Sequence, residues 1–471
     1  MLGRTRHIHF VGVGGAGMSG IAELLVNLGY AVSGSDEKRT PVTARLAGLG
    51  VTVFEGHAPA HVGQADVVVV SSAVRASNPE VAEARRRQIP VIPRAEMLAE
   101  LMRLRFAVAV AGAHGKTTTT SMIAITLEHA GLDPTAVIGG RLSSLGGNAR
   151  LGRSELMVAE ADESDRSFLK LFPAIAVITN VDREHLESYG SFEELQQAFA
   201  DFANKVPFYG AVVACADDAR LAPVLPRITR RLITYGLDAA GADLRGTDVR
   251  LEPFGSVCRV HRRAGPAGGA AGTLGTLRLN VPGRHNVQNA LAAVAVGLEL
   301  GVPFATLAEG LAEFRGVERR YERRGEAAGV LVIDDYGHHP AEIAAVLATA
   351  RALGRRIVVV FQPHRYTRTA RLMDEFGPAL AGADEVVLTD IYPAGEDPIA
   401  GVTLDALVAA VRRAIPAPVT VVDRLGDVAG AVSRLVRPGD VVITLGAGSI
   451  AGVADQVLAA LAARDAAPDH G

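Results

Sequence analysis

The sequence predicts an α/β protein of three domains, and three observations favour this fold class. Short β-branched runs alternate with helix-length segments along the whole chain. Two of these runs end in glycine-rich turns, and the basic stretch GVERRYERRG joins two α/β parts of similar composition. The chain has 471 residues, more than one hydrophobic core usually organises. We expect an N-terminal Rossmann-like domain (1–106), a central P-loop ATPase-like sheet (107–316) and a C-terminal Rossmann-like open sheet (317–471).

Composition limits the classes of partner. A net charge of -3 gives no reason to expect nucleic acid or an anionic membrane as a partner. The two cysteines, Cys215 and Cys258, are too few for a disulfide framework. No apolar run approaches the about 20 residues that span a bilayer, so we expect a cytoplasmic protein.

The first glycine-rich turn lies between a strand and a helix in HIHFVGVGGAGMSGIAELL. Its G-x-G-x-x-G spacing, which begins at Gly12, and the acid Asp36 after the next strand are typical of dinucleotide-binding folds. The same backbone can hold the diphosphate of a nucleotide sugar, and the glycines could also serve only helix packing. Ser71 and Ser72 end a later strand, where ligands bind, although they could equally form a turn or a helix cap. The candidate substrate-binding residues here are Gly14, Gly15, Gly17, Met18, Asp36, Ser71 and Ser72.

The second glycine-rich turn, in AVAVAGAHGKTTTTSM, predicts a phosphate-binding loop between a buried strand and a helix. Backbone N–H groups around Gly112 and Gly115 and the helix N-terminus can contact phosphate oxygens. Lys116 can reach the terminal phosphates, and the Thr117 hydroxyl can bind Mg²⁺. Val110 stands where the full motif has its first glycine, so the match is incomplete.

Carboxylates follow the next buried strand, in SELMVAEADESD. Glu160 is the first of them and the best candidate ligand for Mg²⁺, which prefers oxygen. Asp162, Glu163 and Asp165 could instead be acids at a helix N-terminus. His185, after the following strand, falls on the same sheet edge if the strands are parallel, which favours a metal or substrate role over a surface position.

Two further segments of the middle part are less specific. Asn286 and Asn289 lie one helical turn apart in RHNVQNALAA, so both amides could face a purine, although a polar helix cap is the more usual explanation. The Gly/Ala-rich stretch 261–277 predicts a flexible hairpin loop.

Two strand ends of the last part carry histidine and arginine. DDYGHHP contains Asp334, Asp335, Tyr336, His338 and His339, and FQPHRYTR contains His364, Arg365 and Arg368. Arginines at a strand end can bind a carboxylate or a phosphate through two hydrogen bonds. The histidines lack the ligand spacing of a zinc site.

Together these motifs resemble one family over nearly the whole chain, the ATP-dependent Mur ligases. The resemblance rests on GVGGAGMSGIAELL, AGAHGKTTTT, EADESD, GRHNVQNALAA, GVERRYE, DDYGHHP and QPHRYTRT. Within the family, the chain is similar to the branch that adds L-alanine to UDP-N-acetylmuramate in peptidoglycan synthesis, since sister ligases carry other strings in place of the last two turns.

The resemblance implies a UDP-binding first domain, a middle domain that binds ATP and Mg²⁺, and a last domain that binds the amino acid and closes when ATP binds. The implied nucleotide contacts are Gly112, His114, Gly115, Lys116, Thr117, Thr118, His285, Asn286, Asn289, Arg320 and Asp335. The implied magnesium ligands are Thr117, Glu160 and His185. The implied substrate contacts in the last domain are Tyr336, His338, His364, Arg365 and Arg368. The implied catalytic residues are Lys116, His185, His338, Arg365 and Arg368, with His185 or His338 assisting deprotonation of the amine.

Three positions depart from the family pattern. EHLE (Glu184 to Glu187) replaces DHMD around the metal histidine, a conservative change that keeps His185. The helix LQQAFADF has no lysine where several sister ligases carry a carbamylated one, as is usual for the alanine-adding branch. Ser449, in LGAGSI, stands where an acid is common, which puts any role of that segment in doubt.

Three other functions remain compatible with parts of the sequence. A recycling ligase would attach a whole peptide to the same UDP-sugar. An NAD-dependent oxidoreductase with an accessory ATPase domain would explain the first domain but not Lys116, Glu160 or the C-terminal turns. A non-catalytic nucleotide-binding regulator is the third. Whether the protein is a monomer or a homodimer stays open at this point.

Overall fold

The computed structural model describes residues 3–71, 73–142, 147–264 and 271–466. Over these residues the chain forms three β-sheets, of five, ten and six strands, with helices between the strands. The predicted α/β fold class is therefore confirmed.

The first sheet is parallel and doubly wound, with the strand order β3-β2-β1-β4-β5. Its strands are β1 (His7–Val11), β2 (Ala31–Asp36), β3 (Thr52–Glu55), β4 (Val67–Val70) and β5 (Val91–Pro93). Its helices are α1 (Ala16–Asn27), α2 (Pro41–Gly48), α3 (Pro79–Arg86) and α4 (Arg94–Met102). The strand order reverses between β1 and β4, and ligands of such sheets bind beside this switch point, at the carboxyl ends of the strands.

The central sheet has the strand order β15-β14-β13-β12-β11-β10-β6-β9-β7-β8. Its strands are β6 (Phe106–Ala111), β7 (Thr135–Leu142), β8 (Gly147–Arg150), β9 (Leu156–Glu160), β10 (Ile175–Ile178), β11 (Ala211–Cys215), β12 (Leu232–Gly236), β13 (Leu244–Glu252), β14 (Gly255–Arg262) and β15 (Gly272–Leu279). The helices that follow in this part are α5 (Lys116–His129), α6 (Phe192–Asn204), α7 (Arg284–Glu299) and α8 (Phe304–Glu313). β6 lies between β9 and β10 and is parallel to both, as predicted, so the carboxyl ends of all three meet at one edge.

The stretch 261–277 was predicted wholly as a loop, and this prediction is wrong at both ends. β14 continues to Arg262, and β15 begins at Gly272. Leu277 and Leu279 are buried, with Arg278 exposed between them, which is the alternation of a strand with one covered face. The high glycine and alanine content hid this alternation. The middle of the stretch, 265–270, lies outside the described residues.

The last sheet has the strand order β16-β17-β21-β18-β19-β20, and β16 is its antiparallel edge strand. Its strands are β16 (Glu322–Ala327), β17 (Val330–Asp335), β18 (Ile357–Phe361), β19 (Glu385–Thr389), β20 (Val419–Val422) and β21 (Val441–Leu445). Its helices are α9 (Pro340–Ala350), α10 (Tyr366–Leu372), α11 (Phe376–Leu380), α12 (Leu404–Ala414), α13 (Val428–Leu435) and α14 (Val453–Ala466). Apolar clusters cover both faces of the parallel strands, as expected when helices pack on each side.

The chain packs into two compact units. The first unit contains the first sheet and most of the central sheet, up to Val249, together with residues 257–279 and 286–315. The second unit contains the last sheet, from Gly316 onward, together with residues 250–256 and 280–285. Among the described helices, none has the length and apolarity that crossing a bilayer requires.

Phe168 provides a test of the packing that supports the candidate site. Its fully buried ring lies 5.2 Å from the ring of Phe199 and 5.1 Å from that of Phe202, both on α6. We expect Phe168→Ala to lower the free energy of unfolding of the first unit by about 3 to 5 kcal/mol, because it leaves a cavity in the core. Urea unfolding followed by circular dichroism measures this. Phe208→Ala is the control, since that ring is 91% exposed, and equal effects of the two substitutions would contradict the prediction.

Candidate active site

The predicted phosphate loop connects β6 to α5, and two of its glycines have positive φ. Gly112 has φ +140° and Gly115 has φ +80°. A Cβ atom on Gly112 would lie 2.0 Å from Thr179 Oγ1, and one on Gly115 would lie 2.7 Å from Asn289 Oδ1. Both the backbone conformation and the close packing therefore require glycine.

His114, in the middle of this loop, is held by the segment that follows β10. Its backbone N–H donates to Asn180 Oδ1 (2.8 Å), and its carbonyl accepts from Thr179 Oγ1 (2.7 Å) and Asn180 Nδ2 (3.0 Å). The His114 ring places Nε2 3.0 Å from Asp182 Oδ2. These contacts fix the course of the loop at the carboxyl edge of the central sheet.

Lys116 is the first residue of α5, and its ammonium group lies inside the loop. Nζ donates to the carbonyl oxygens of Gly112 (2.6 Å) and Ala113 (3.2 Å) and pairs with Glu163 at 2.8 Å. Burial opposes the charge, but the nearby carboxylates, Glu163 foremost, outweigh burial and raise the pKa of Lys116. The lysine is therefore a fixed positive charge beside a helix N-terminus, where anions bind.

Thr117 and Glu160 lie side by side, as their predicted roles require. Thr117 Oγ1 donates to Glu160 Oε1 at 3.0 Å. The register that pairs Glu160 with Val110 brings the end of β9 next to the phosphate loop. The pair offers hydroxyl and carboxylate oxygens, the ligand types that Mg²⁺ prefers. Thr118, the next residue, is buried in the first turn of α5.

A second group of potential cation ligands consists of Glu163, Glu184 and His185, whose ligand atoms all lie within 4.8 Å of one another. His185 was predicted to act with Thr117 and Glu160. In the structure its neighbouring acids are Glu163 and Glu184. Burial raises the pKa of Glu163 to about 7, against the opposing effect of Lys116. The Tyr189 hydroxyl donates to the backbone carbonyl of Glu163 and so fixes the acidic turn.

The predicted amide pair lies against the phosphate loop. Asn286 and Asn289 are buried near the start of α7, and Asn289 Nδ2 is 3.4 Å from Asn286 Oδ1. The contact of Asn289 with Gly115 places this pair beside the candidate nucleotide site. His285 belongs to the second unit. Burial and then the charge of Arg320 lower the pKa of His285 to about 4, so its imidazole is neutral at pH 7.

The glycine-rich loop of the first sheet is anchored by the end of β2. The N–H groups of Gly12 and Val13 donate to the carbonyl of Ser35 at 2.8 and 2.9 Å. The Gly14 N–H donates to Asp36 Oδ2 at 2.8 Å. Asp36, predicted to face a ribose, therefore holds the loop in this structure.

The other predicted residues of the first sheet lie around this loop. Gly15 is the exposed N-cap of α1, and Met18 is buried in the first turn of that helix. Ser71 directly follows β4 at the carboxyl edge. Ser72 lies outside the described residues.

Arg94, which was not predicted from the sequence, connects two of these segments. It begins α4, and a Cβ atom on Gly17 would lie 1.7 Å from its Nη1. Its Nη2 lies 3.3 Å from Asp162 Oδ2, in the acidic turn after β9. The arginine thus links the glycine-rich loop of the first sheet to the acidic turn of the central sheet. In the sequence, Arg94 directly follows the short strand PVIP, and this position at a strand end could have marked it as a candidate ligand-binding residue.

In the second unit, Asp335 at the end of β17 accepts hydrogen bonds from the N–H groups of Tyr321 (2.7 Å) and Gly337 (2.6 Å). Burial raises the pKa of Asp335 to about 6, although Arg320 opposes this. The Arg320 guanidinium lies 5.1 Å from the centre of the Tyr336 ring. The predicted residues Arg320, Asp335 and Tyr336 therefore lie close together at the end of β17.

His338, His364 and Arg368 form a cluster at the ends of β17 and β18. The two imidazole rings are 5.5 Å apart, and Arg368 Nη1 lies 3.1 Å from His364 Nδ1. Burial, followed by the charges of His338 and Arg368, lowers the pKa of His364 to about 3. His364 is therefore neutral and accepts a hydrogen bond from Arg368.

Arg365 joins this cluster from the start of α10, where it has φ +70°. Its backbone N–H donates to the Tyr392 carbonyl at 2.8 Å, and its guanidinium lies 3.8 Å from Glu396. Ser449, the departure in the last glycine turn, donates to Gln362 Oε1 at 3.3 Å. The cluster is thus built from the ends of β17 and β18, which lie on either side of β21, whereas Ser449 contacts the Gln362 side chain.

Comparison with protein families covers most of the chain. Residues 7–106 match the catalytic domain of the Mur ligase family, residues 110–297 match the Mur ligase middle domain, and residues 319–448 match the Mur ligase glutamate ligase domain.

Relatives and solved structures match over nearly the full length. The chain is 54% identical to the UDP-N-acetylmuramate–L-alanine ligase of Geobacter sp. (strain M21), covering 98% of this chain and 99% of that protein. It is also 54% identical to the protein of the same name from Myxococcus xanthus (strain DK1622), covering 99% and 98%. The crystal structure of UDP-N-acetylmuramate-alanine ligase from Thermotoga maritima superposes with a TM-score of 0.81 at 31% identity, over 97% and 99% of the two chains. That of a murein peptide ligase from Psychrobacter arcticus gives 0.72 at 25% identity, over 97% and 99%.

These matches extend across the phosphate loop, the acidic turn and the arginine cluster in one unbroken chain. The protein therefore belongs to the Mur ligase family and is an ATP-dependent enzyme that forms amide bonds.

Proposed function

We propose that this protein joins L-alanine to the lactyl carboxylate of UDP-N-acetylmuramate in peptidoglycan precursor synthesis, with cleavage of ATP to ADP and phosphate. The observation that carries the proposal is the charged, largely buried Lys116 at the start of α5, beside the Thr117–Glu160 pair. The full-length relatives named for this reaction support the choice of substrates.

The polar groups around the phosphate loop fit Mg²⁺. Thr117 and Glu160 would hold one ion, and Glu163, Glu184 and His185 form a second group of suitable ligands. When bound, the metal would neutralise charge on the phosphates. Phosphate oxygens would compete with Glu163 for Lys116, so the lysine can exchange one anionic partner for another without leaving the loop.

In the first step, a lactyl carboxylate oxygen attacks the γ-phosphorus, the bond from that phosphorus to the bridging oxygen breaks, and ADP leaves. The product is an acyl phosphate, whose phosphate is a far better leaving group than oxide. This chain contributes positioning and charge: Lys116 and the N–H groups of the loop stabilise negative charge on the transferring group. Asn286 and Asn289 would lie beside the nucleotide.

In the second step, the neutral alanine amine attacks the acyl carbon, and the carbon–oxygen bond to phosphate then breaks. Arg365 and Arg368 would bind the alanine carboxylate. His338 Nδ1 lies 3.0 Å from the Tyr336 carbonyl oxygen, which can only accept, so Nδ1 carries a hydrogen. In the neutral form of this ring, Nε2 is the nitrogen that can accept a proton. We therefore assign the proton from the amine to His338 Nε2 and leave His185 in the cation group.

The UDP part of the substrate would bind at the carboxyl edge of the first sheet. Gly14, Gly15 and Gly17 would approach the diphosphate, and Arg94 would supply a positive charge at Gly17. Because Arg94 also contacts the acidic turn after β9, a substrate that extends from the first sheet to the phosphate loop would pass beside it.

The direct test is phosphate release with each substrate present or omitted. We expect turnover only when ATP, UDP-N-acetylmuramate and L-alanine are all present. A recycling ligase would prefer a tripeptide to alanine in the same assay. Phosphate release without any amino acid, or turnover of NADH, would refute the ligase activity.

Lys116→Ala should lower kcat by about 10² to 10³, because a preorganised charge on the transferring phosphoryl group is lost. Lys170→Ala is the matched control, since that lysine follows the same acidic turn and pairs with Glu96 at the surface. Steady-state kinetics of both variants measures the difference. A Lys116→Ala enzyme with kcat close to that of the wild type would show that another group neutralises the phosphates.

Glu160→Gln should raise the Mg²⁺ concentration for half-maximal rate by about tenfold, since a neutral amide is a weaker ligand than a carboxylate. Binding of Mn²⁺ measured by electron paramagnetic resonance gives a readout that does not depend on turnover. Glu155→Gln, exposed just before β9, is the control. Unchanged Mn²⁺ affinity in Glu160→Gln would remove Glu160 from the ligand set.

A further inference from the structure

Glu80, in the first turn of α3, has a fully buried carboxylate that receives donors from several segments of the first sheet. Its Oε2 accepts from Ser35 Oγ at 2.6 Å and lies 3.1 Å from His9 Nε2. Its Oε1 accepts from the backbone N–H of Ala58 at 3.1 Å and lies 3.1 Å from His61 Nδ1. Both oxygens are therefore occupied by protein groups.

The carboxylate is ionised in spite of its burial. Burial disfavours the charge, but the hydrogen bonds from His9 and Ser35 outweigh it and lower the pKa of Glu80 to about 2. A buried carboxylate is tolerated only when donors surround it, and loss of those donors is costly. None of the steps proposed above uses this charge, so it needs another explanation.

One oxygen of Glu80 acts on the glycine-rich loop through Ser35. The Ser35 carbonyl accepts the N–H groups of Gly12 and Val13, and the next residue, Asp36, accepts the N–H of Gly14. Three consecutive backbone N–H groups of the loop are thus held by the two residues that end β2. The Ser35 hydroxyl, in turn, is held by Glu80.

The other oxygen acts on the connection between β3 and β4. It binds the backbone of Ala58 and the ring of His61, and His61 stacks on Phe54 of β3 at a centroid distance of 4.4 Å. One carboxylate therefore joins α3, the end of β2 and the segment after β3 at the carboxyl edge of the first sheet.

We propose that Glu80 is a positioning residue for the UDP-sugar, which it does not touch but whose binding loop it holds in place through Ser35. The inference rests on the proposed function of the first sheet. Because the network lies entirely within that sheet, its loss affects the affinity for the UDP-sugar and leaves the affinities for ATP and alanine unchanged.

The test compares KM for each substrate in the full-length protein. Glu80→Gln keeps the size of the side chain but turns an NH₂ group toward groups that need an acceptor. We expect about a tenfold rise in KM for UDP-N-acetylmuramate, with KM for ATP and kcat within about twofold of the wild type. Glu80→Asp, which keeps the charge, should fall between the two. The control is Glu83→Gln, on the same helix, where Glu83 pairs with Arg86.

Ser35→Ala provides a second variant that leaves Glu80 and its other partners intact. It should raise KM for the UDP-sugar in the same selective way. In the variant that combines Ser35→Ala with Glu80→Gln, the effects on KM should be less than additive, because both changes break the same hydrogen bond. An equal rise in KM for UDP-sugar and ATP, or a lower Tm with unchanged KM values, would reduce Glu80 to a structural role and overturn the proposal. If the wild-type protein shows no turnover that depends on UDP-N-acetylmuramate, the proposed function falls and this inference falls with it.

Discussion

The parallel pairing of β6 with β9 and β10 brings the phosphate loop, Glu160 and Thr179 to one edge of the central sheet. All three strands are buried, and their register pairs Val110 with Glu160 and Ala111 with Ile178. In that register Glu160 and Thr179 end beside the phosphate loop. A slip of one residue would exchange the side chains between the two covered faces of each strand and would move the acidic turn away from Lys116.

The electrostatics at this edge of the sheet depends on the largely buried charge of Lys116. Lys116 is surrounded by loop carbonyls and by acids, and its ammonium group balances Glu163 in particular. The raised pKa of Glu163, about 7, shows that burial acts on the acid more strongly than the lysine can oppose.

The first sheet and the last sheet both hold polar groups in place through hydrogen bonds, but they use different residue types. In the first sheet, Ser35 and Asp36 hold the glycine-rich loop by its backbone N–H groups, and the buried Glu80 fixes that anchor. In the last sheet, the neutral His364 ring accepts a hydrogen bond from Arg368 and so fixes the direction of the guanidinium. In both places one side chain fixes the position of a neighbouring polar group.

Local sequence determined much of this protein. The fold class, the phosphate loop, and the positions of Glu160 and of the arginine turns follow from alternating patterns, glycine spacing and motif resemblance, because these features depend on residues close together in the chain. The hydrogen-bond and ion-pair partners of the side chains did not follow from the local sequence. The sequence did not predict four contacts: Arg94 with Gly17, Asp36 with the Gly14 N–H, Glu163 with Lys116, and the meeting of three segments at Glu80. All of them depend on residues far apart in sequence. Only tertiary packing brings such groups within hydrogen-bond distance, and their electrostatic interactions become strong only where they are shielded from water. These contacts were therefore decided by the folded structure.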